Sequence, residues 1–428
     1  MSTSNPEHVV IVGAGLAGAT AAKTLREEGF DRGIHLIGAE RHAPYIRPPL
    51  SKGYLAGTEG RDSIDVVDSA WYREHDVDLQ TGARVAALDR DSSHVRLESG
   101  ATIRYDALLL ATGSTPRRLP IPGAELGGVH VLRTVDDCET IRGVIAEGGT
   151  RVVLIGSGWI GMEVAATARS LGNEVTVLER DPVPLAAALG EELGRYFADL
   201  HRRNGVSIRP SVAVDAIVGA HGTATGVRMA DGEVVAADLV VVGVGAVPAI
   251  ELARDAGLAV DGGVLVDAAL RTSDPRIFAA GDIAAAEHPI AGVRLRSEHW
   301  ANALTGGAVA ARSMLGQAVV HDAIPYFYTD QFDLGMEYAG FAPLTREARI
   351  VYRGDPSSGT FVAFWMQGPR VVAGMNVNVW DVNESIQALV RSGASVDERM
   401  LRDESIPLDD VADVGELGEA RPWTPSAS

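Results

Sequence analysis

A strand, a glycine-rich turn and a helix occur in immediate succession twice along this chain, and that repeat restricts its fold more than any other feature. Val9 to Val12 is an apolar run that leads into Gly13-Ala14-Gly15-Leu16-Ala17-Gly18. Leu16 to Glu28 then carries a helical pattern that Gly29 stops, and Ile34 to Ile37 reads as a second buried strand. Each glycine answers a physical demand. Gly13 permits a tight turn, Gly15 lets backbone approach a pyrophosphate, and Gly18 lets the helix pack closely on the strand. The helix start turns its free N–H groups and positive dipole end toward the phosphates.

The second occurrence has Arg151 to Ile155 as strand, Gly156-Ser157-Gly158-Trp159-Ile160-Gly161 as turn, and Ile160 to Leu171 as helix stopped by Gly172. Glu174 to Leu178 is its second strand. Two such units predict two dinucleotide sites. About 20 residues after each turn stands an acid placed to accept hydrogen bonds from an adenosine ribose, Glu40 in the first unit and Glu179 in the second. A carboxylate at 179 repels the 2′-phosphate of NADP and favours NADH, although Arg180 beside it offers that phosphate a cation.

Between the units, Ala107 to Ala111 reads as a strand running into Thr112-Gly113. The Pro-rich stretch Pro116 to Pro122 predicts a crossing between domains, with a return crossing near Gly245 to Pro248. Beyond Pro325 the texture changes to aromatic and β-branched alternation in Thr360 to Met366 and Arg370 to Val379, followed by a helical Glu384 to Arg391. The expected architecture is α/β, with two Rossmann-like dinucleotide-binding domains and a C-terminal α+β domain. Residues 1–117 and 246–324 form the discontinuous first domain, 118–245 the second and 325–428 the third. The acidic stretch Asp403 to Glu419 is expected to be a solvated tail or surface helix.

Composition removes several function classes. With 38 Lys and Arg against 57 Asp and Glu, the net charge of −19 repels nucleic acid and anionic membranes. The best membrane candidate, Leu239 to Ile250, is short and broken by Gly243, Gly245 and Pro248, so it is expected to be a buried strand and its exit. Val9 to Ala22 lacks the preceding basic residues of an export signal. The single cysteine, Cys138, leaves no disulfide framework or Cys-only metal site and points to a cytoplasmic protein. Its acidic neighbours Asp136, Asp137 and Glu139 are expected to raise the thiol's pKa rather than activate it. The 11 histidines show no ligand spacing for a catalytic metal, and His288 and His299 are expected to be polar contacts.

Lysine usage adds another pointer: of 38 basic residues only Lys23 and Lys52 are lysines. Lys23 falls within the first helix, as a solvated residue does. Lys52 follows Arg47-Pro48-Pro49-Leu50-Ser51, whose prolines fix the backbone ahead of it, which makes it a candidate site residue.

At this point the chain resembles the FAD-dependent ferredoxin and rubredoxin reductases, of glutathione-reductase-type architecture, nearly from end to end. The resemblance lies in Tyr45 to Lys52, Ala111-Thr112-Gly113, Leu132-Arg133-Thr134, Gly156 to Glu163, Ala280-Gly281-Asp282, Glu298 to Ala303 and Thr329-Asp330-Gln331. It implies that Ala17, Glu40, Arg47, Lys52, Val85, Ala111, Gly113 and Arg133 line an FAD site together with the first turn. It further implies that Gly281 and Asp282 hold the ribitol or phosphate region and that Trp300 abuts the isoalloxazine. Ile160, Gly245 and Glu163 join the second turn on the nicotinamide side, Glu163 near Lys52, where each charge favours the other. Residue 39 is alanine where related sequences often carry a ribose-binding aspartate, which leaves Glu40 for that contact. The lone Cys138 departs from disulfide-reductase relatives, which need a cysteine pair beside the flavin.

The function so implied is electron transfer from NADH through FAD to a two-iron or other small ferredoxin that serves a monooxygenase or dioxygenase. Positioning and electrostatics are then the protein's task, with no covalent nucleophile or general base. An acidic ferredoxin requires basic residues near the flavin edge, and Arg294, Arg296 and Arg312 are the candidates. Two other readings fit the same motifs: an NADH-dependent reductase of a small oxidant such as a quinone, and a redox-responsive flavoprotein of the apoptosis-inducing-factor type.

Overall fold

A computed structural model describes residues 6–412 of the chain. Its first sheet is built around His8–Val12, whose residues from Val9 on are buried on both faces. That burial explains an unbroken apolar run where a half-exposed strand would alternate. The sheet is parallel, in the order Ile277–Ala279, Ala107–Leu110, His8–Val12, Gly33–Ile37, Val77–Gln80. Helix Leu16–Glu27 leaves its central strand, and Gly29 just beyond it has a left-handed backbone.

The second sheet repeats this plan around Arg151–Ile155. Its order is Ser207–Arg209, Glu174–Leu178, Arg151–Ile155, Leu239–Val242, Val129–His130, again all parallel. Leu239–Val242 is fully buried at its centre. No helix of the described residues is long and apolar enough to cross a membrane. The chain passes between the two sheets on paired antiparallel strands, Ser114–Pro116 against Ala246–Pro248, where both crossings were expected.

Each unit also carries a three-stranded antiparallel sheet that sequence reading did not anticipate. One comprises Val85–Asp89, His94–Leu97 and Thr102–Arg104; the other Val214–Ala220, Thr223–Met229 and Val234–Ala236. Both stand just before the strand that returns to the parallel sheet. Their strands are half exposed, so they lack a continuous apolar run.

The third region is a five-stranded antiparallel sheet in the order Tyr326–Gln331, Leu334–Gly340, Arg370–Val377, Thr360–Gln367, Arg349–Asp355. Helix Asn383–Ser392 packs on it through Ile386, Leu389 and Val390. The acidic segment after Asp403 departs from expectation in its described part. Leu408 and Val411 are buried in this region's core, and the Arg353 guanidinium donates to the carbonyl of Ile406 at 2.6 Å. Apolar residues spaced among the acids pin the segment while the acids face solvent; residues 413–419 of that stretch lie outside the described residues.

Two buried histidines set an acid limit on the fold. Burial pushes both His201 and His321 down to about 4 from an ordinary 6.5. His201 is held by Gln331, and His321 lies beside His288 and Asp322. Unfolding restores the ordinary value, so the unfolded chain binds more protons below pH 6.5 and stability falls from there toward pH 4. Each histidine contributes a slope of up to about 1.4 kcal/mol per pH unit. Urea midpoints are therefore expected to drop clearly between pH 7 and pH 5; equal midpoints would show that neither histidine is buried neutral.

Candidate active site

The first turn separates two reasons for a glycine. Gly13 has φ +115°, and a Cβ there would lie 2.1 Å from the carbonyl oxygen of Ala111, so the protein itself demands glycine. Gly15 has an ordinary extended backbone, and a Cβ on it would meet nothing within 4 Å. No neighbouring atom of the chain itself calls for a glycine there. Gly158 in the second turn repeats this pattern, extended and with open space around it.

Gly15 opens on a cavity of about 820 Å³. Gly13, Ala17, Glu40, Arg47, Lys52 and Val85 line it, as do Ala111, Gly113, Arg133, Gly281, Asp282 and Trp300. Ile160 and Glu163 of the second unit face the same space. The remaining sequence candidates lie off this cavity. Gly18 packs on the Gly13 carbonyl behind the first turn, Gly156, Gly158 and Gly161 belong to the second turn, and Glu179 accepts from the Ser157 amide within it. Gly245 sits on the return crossing, where its carbonyl accepts from the Arg117 amide at 2.9 Å.

Lys52 is held by local backbone geometry. Pro48 and Pro49 start the short 3₁₀ turn Pro48–Ser51, and the Lys52 amide closes it on the Pro49 carbonyl. The ammonium lies 2.7 Å from Glu163 Oε2, with the side chains 15% and 4% exposed. Helix Trp159–Ser170 brings Glu163 from the other sheet, so the pair joins the two units. Ser51 Oγ donates to the same carboxylate at 2.5 Å and Thr329 Oγ1 at 2.6 Å. Burial raises the nearby Asp330 carboxyl, with Lys52 opposing and Glu163 adding to the rise.

A second cluster surrounds Tyr45. Its hydroxyl donates to Glu40 and accepts from Arg47 at 3.1 Å and from the Val135 amide at 3.0 Å. Burial pushes that hydroxyl's pKa up, so it stays a donor. Arg47 also reaches Glu40 Oε1 at 2.6 Å and the Arg133 carbonyl. Arg133 is placed by the capping box of helix Val135–Ile145, where Asp137 accepts from the amides of Arg133 and Thr134. Its guanidinium meets Asp282 at 2.9 Å, against the burial that raises that carboxyl.

Two polar atoms behind the cavity wall are left unpaired by the protein. Trp300 Nε1 and His299 Nδ1 are buried with no hydrogen-bond partner among the described residues. The open face at Gly15 and the cations Arg47, Lys52 and Arg133 on the wall together fit an elongated dinucleotide carrying a pyrophosphate and a flat ring system. In the second turn Glu179 accepts from the Ser157 amide at 2.8 Å, from Ser157 Oγ at 2.5 Å and from the Asp181 amide at 2.8 Å, which fixes its carboxylate beside that helix start. Arg180 points away into solvent.

Other expectations change. Cys138 is buried with its Sγ on the Leu50 carbonyl, and its thiol is pushed up to about 12; burial rather than the flanking acids is the main cause. Arg294, Arg296 and Arg312 form no basic cluster on the cavity. Arg294 is tied to two carbonyls and Glu287, Arg296 to Glu298 and the Asp282 carbonyl, and Arg312 to Glu28 on the first helix. His288 makes the expected polar contacts, to the Ala323 carbonyl and the Ala291 amide. No metal-binding cluster occurs among the described residues. Sequence reading gave no role to Tyr45, Ser51, Thr329 or Gln331, although all four stood in motifs it singled out, and it missed His201.

Two linked parallel-sheet units, an ion pair joining them and a wall without paired cysteines define a two-dinucleotide oxidoreductase that works without a thiol relay. The chain belongs to the pyridine nucleotide-disulphide oxidoreductase family, whose model matches residues 7–307, and the reductase C-terminal model matches residues 326–412. Its relatives are ferredoxin reductases. A probable ferredoxin reductase of Castellaniella defragrans is 42% identical over 86% of this chain and 89% of its own length. The ferredoxin–NAD(+) reductase component of the Burkholderia cepacia anthranilate 1,2-dioxygenase system is 40% identical over 93% and 98%. Among solved structures, the covalent putidaredoxin reductase–putidaredoxin complex matches with a TM-score of 0.90 at 35% identity, covering 95% of this chain and 98% of that one.

Proposed function

We propose that this protein is a cytoplasmic FAD-dependent NADH:ferredoxin reductase, which delivers electrons to a small iron–sulfur protein serving an oxygenase. The observation that carries this reading is the convergence of the two units on one cavity, where Lys52 of the first half meets Glu163 of the second. Residues 1–117 and 246–324 are assigned to FAD, 118–245 to NADH and 325–428 to the reductase C-terminal domain. FAD, when bound, supplies the chemistry of accepting a hydride and releasing electrons singly.

The chain's own residues position and shield. The first turn receives the pyrophosphate on helix N–H groups, with Arg47, Arg133 and Asp282 along the wall. Trp159, Phe327 and Tyr328 cover the cavity near Lys52 and exclude water. Glu163 fixes the Lys52 ammonium, so that a positive charge stands ready beside the reacting ring. Glu179, already oriented by Ser157 and Asp181, offers its carboxylate to a ribose diol and repels a 2′-phosphate.

Anaerobic titration of the yellow protein tests the reading. NADH is expected to bleach the flavin, and cytochrome c reduction is expected only when a two-iron ferredoxin is added. In Glu179→Ala the preference for NADH over NADPH is expected to fall at least about tenfold, the scale of one lost charge repulsion. Faster bleaching of the parent by NADPH would overturn the coenzyme assignment. Full turnover on a quinone with no ferredoxin present would overturn the partner.

A further inference from the structure

A buried hydrogen-bonded chain leaves Glu163 on the side away from Lys52. Thr329 Oγ1 meets Glu163 Oε1 at 2.6 Å, Gln331 Nε2 meets Thr329 Oγ1 at 3.1 Å, and His201 Nε2 meets Gln331 Oε1 at 2.8 Å. Glu163, Thr329, Gln331 and His201 are all buried. Thr329 and Gln331 are alternate residues of strand Tyr326–Gln331, which places both side chains on one face. His201 comes from helix Ala186–Arg203 of the second unit, so the chain passes from one unit through the C-terminal sheet and back.

Its direction is forced by what each group can donate. An ionised carboxylate only accepts, so the Thr329 hydroxyl donates to Glu163. The Thr329 oxygen must then accept, and of the Gln331 amide only the nitrogen can give to it. That turns the Gln331 oxygen to His201, whose Nε2 must carry the hydrogen. His201 Nδ1 is buried without a partner among the described residues, so the chain ends there. Every donor points at Glu163, the arrangement in which successive hydrogen bonds polarise one another most. A hydroxyl alone is a rotor. With its acceptor position filled by Gln331, its hydrogen has one place to go.

We propose that Gln331 and His201 are positioning residues of the redox site: they lock the Thr329 hydroxyl onto Glu163 and so hold the Lys52 ammonium in place, touching neither Lys52 nor Glu163 themselves. The link to catalysis rests on the reading of Lys52 and Glu163 given above.

Because the protein has two lysines, growth on [ε-¹³C]lysine gives two side-chain signals, and Lys23→Arg assigns them. In the FAD-loaded protein, Gln331→Met, of similar size, with no donor and only a weakly accepting sulfur, is expected to move the Lys52 signal toward that of exposed Lys23. It is also expected to slow flavin bleaching by NADH about tenfold, the effect of loosening a charge-assisted hydrogen bond. Thr329→Val is expected to do the same one link nearer, and Thr329→Ser, which keeps the hydroxyl, to restore both readouts. Should Gln331→Met not fold, His201→Phe, which removes the hydrogen given to Gln331 Oε1, carries the test. A Lys52 signal unmoved in the folded Gln331→Met or His201→Phe protein overturns the proposal. A moved signal with an unchanged bleaching rate keeps the relay and removes Lys52 from the reaction, so the two failures are told apart.

Discussion

A Gly15→Val protein is expected to fold normally and to be colourless. Valine favours the extended backbone that Gly15 adopts, and a Cβ there meets no protein atom within 4 Å, so the fold loses nothing. In the proposed site the space the valine fills is the pyrophosphate's, and close backbone approach is what the phosphate contact requires. Flavin content is therefore expected to fall at least about a hundredfold at limiting FAD, an order of 3 kcal/mol, with circular dichroism and urea midpoint close to those of the parent stripped of flavin. Gly158→Val isolates the other turn by the same logic. That protein is expected to be yellow and unresponsive to NADH, while dithionite still reduces it. A yellow Gly15→Val protein would mean that the first turn is not the FAD site.

The second large effect is expected at Lys52→Glu. The substitution sets a carboxylate against Glu163, which is nearly fully buried, and beside Asp330, whose carboxyl burial and Glu163 already raise. An unpaired buried charge costs about 3–5 kcal/mol, and the opening of Lys52 to the cavity brings that to about 2–3 kcal/mol. That cost falls on stability; separately, losing the positive charge beside the reacting ring is expected to lower the rate constant for flavin reduction, followed by stopped-flow absorbance, about a hundredfold. Lys52→Arg keeps the charge and alters its shape, so an intermediate rate is expected. A Lys52→Glu rate within about threefold of the parent, under 1 kcal/mol, would leave the ion pair a structural tie and nothing more.

These expectations show which parts of the site a sequence displays. The glycine turns are legible because their demands are local: strand, turn and helix follow one another within a few residues. Lys52 is legible for a similar reason, since the prolines that fix its backbone stand next to it. Its pairing with Glu163 came from family resemblance, and in the structure the two side chains are in contact. The relay is another matter. Gln331 and His201 are 130 positions apart and meet only because the C-terminal sheet packs against the second unit's helix. Nothing around His201 sets it apart from the other polar residues of an amphipathic helix; its burial is a tertiary fact. The small antiparallel sheets stayed hidden because their strands are half exposed and carry no continuous apolar run. The arginine cluster failed for a different reason: each guanidinium has a carboxylate or carbonyl within reach, which arginine counts along a sequence do not reveal.

Cys138 carries a consequence for the setting in which this protein works. Oxygenases leak peroxide, and peroxide attacks thiolates far faster than thiols. With its proton retained to about 12 and its sulfur covered beneath Leu50, Cys138 presents no such target at neutral pH. Under the proposed function, the route from nicotinamide to iron–sulfur acceptor thus contains no thiol of this chain that an oxidant can cap.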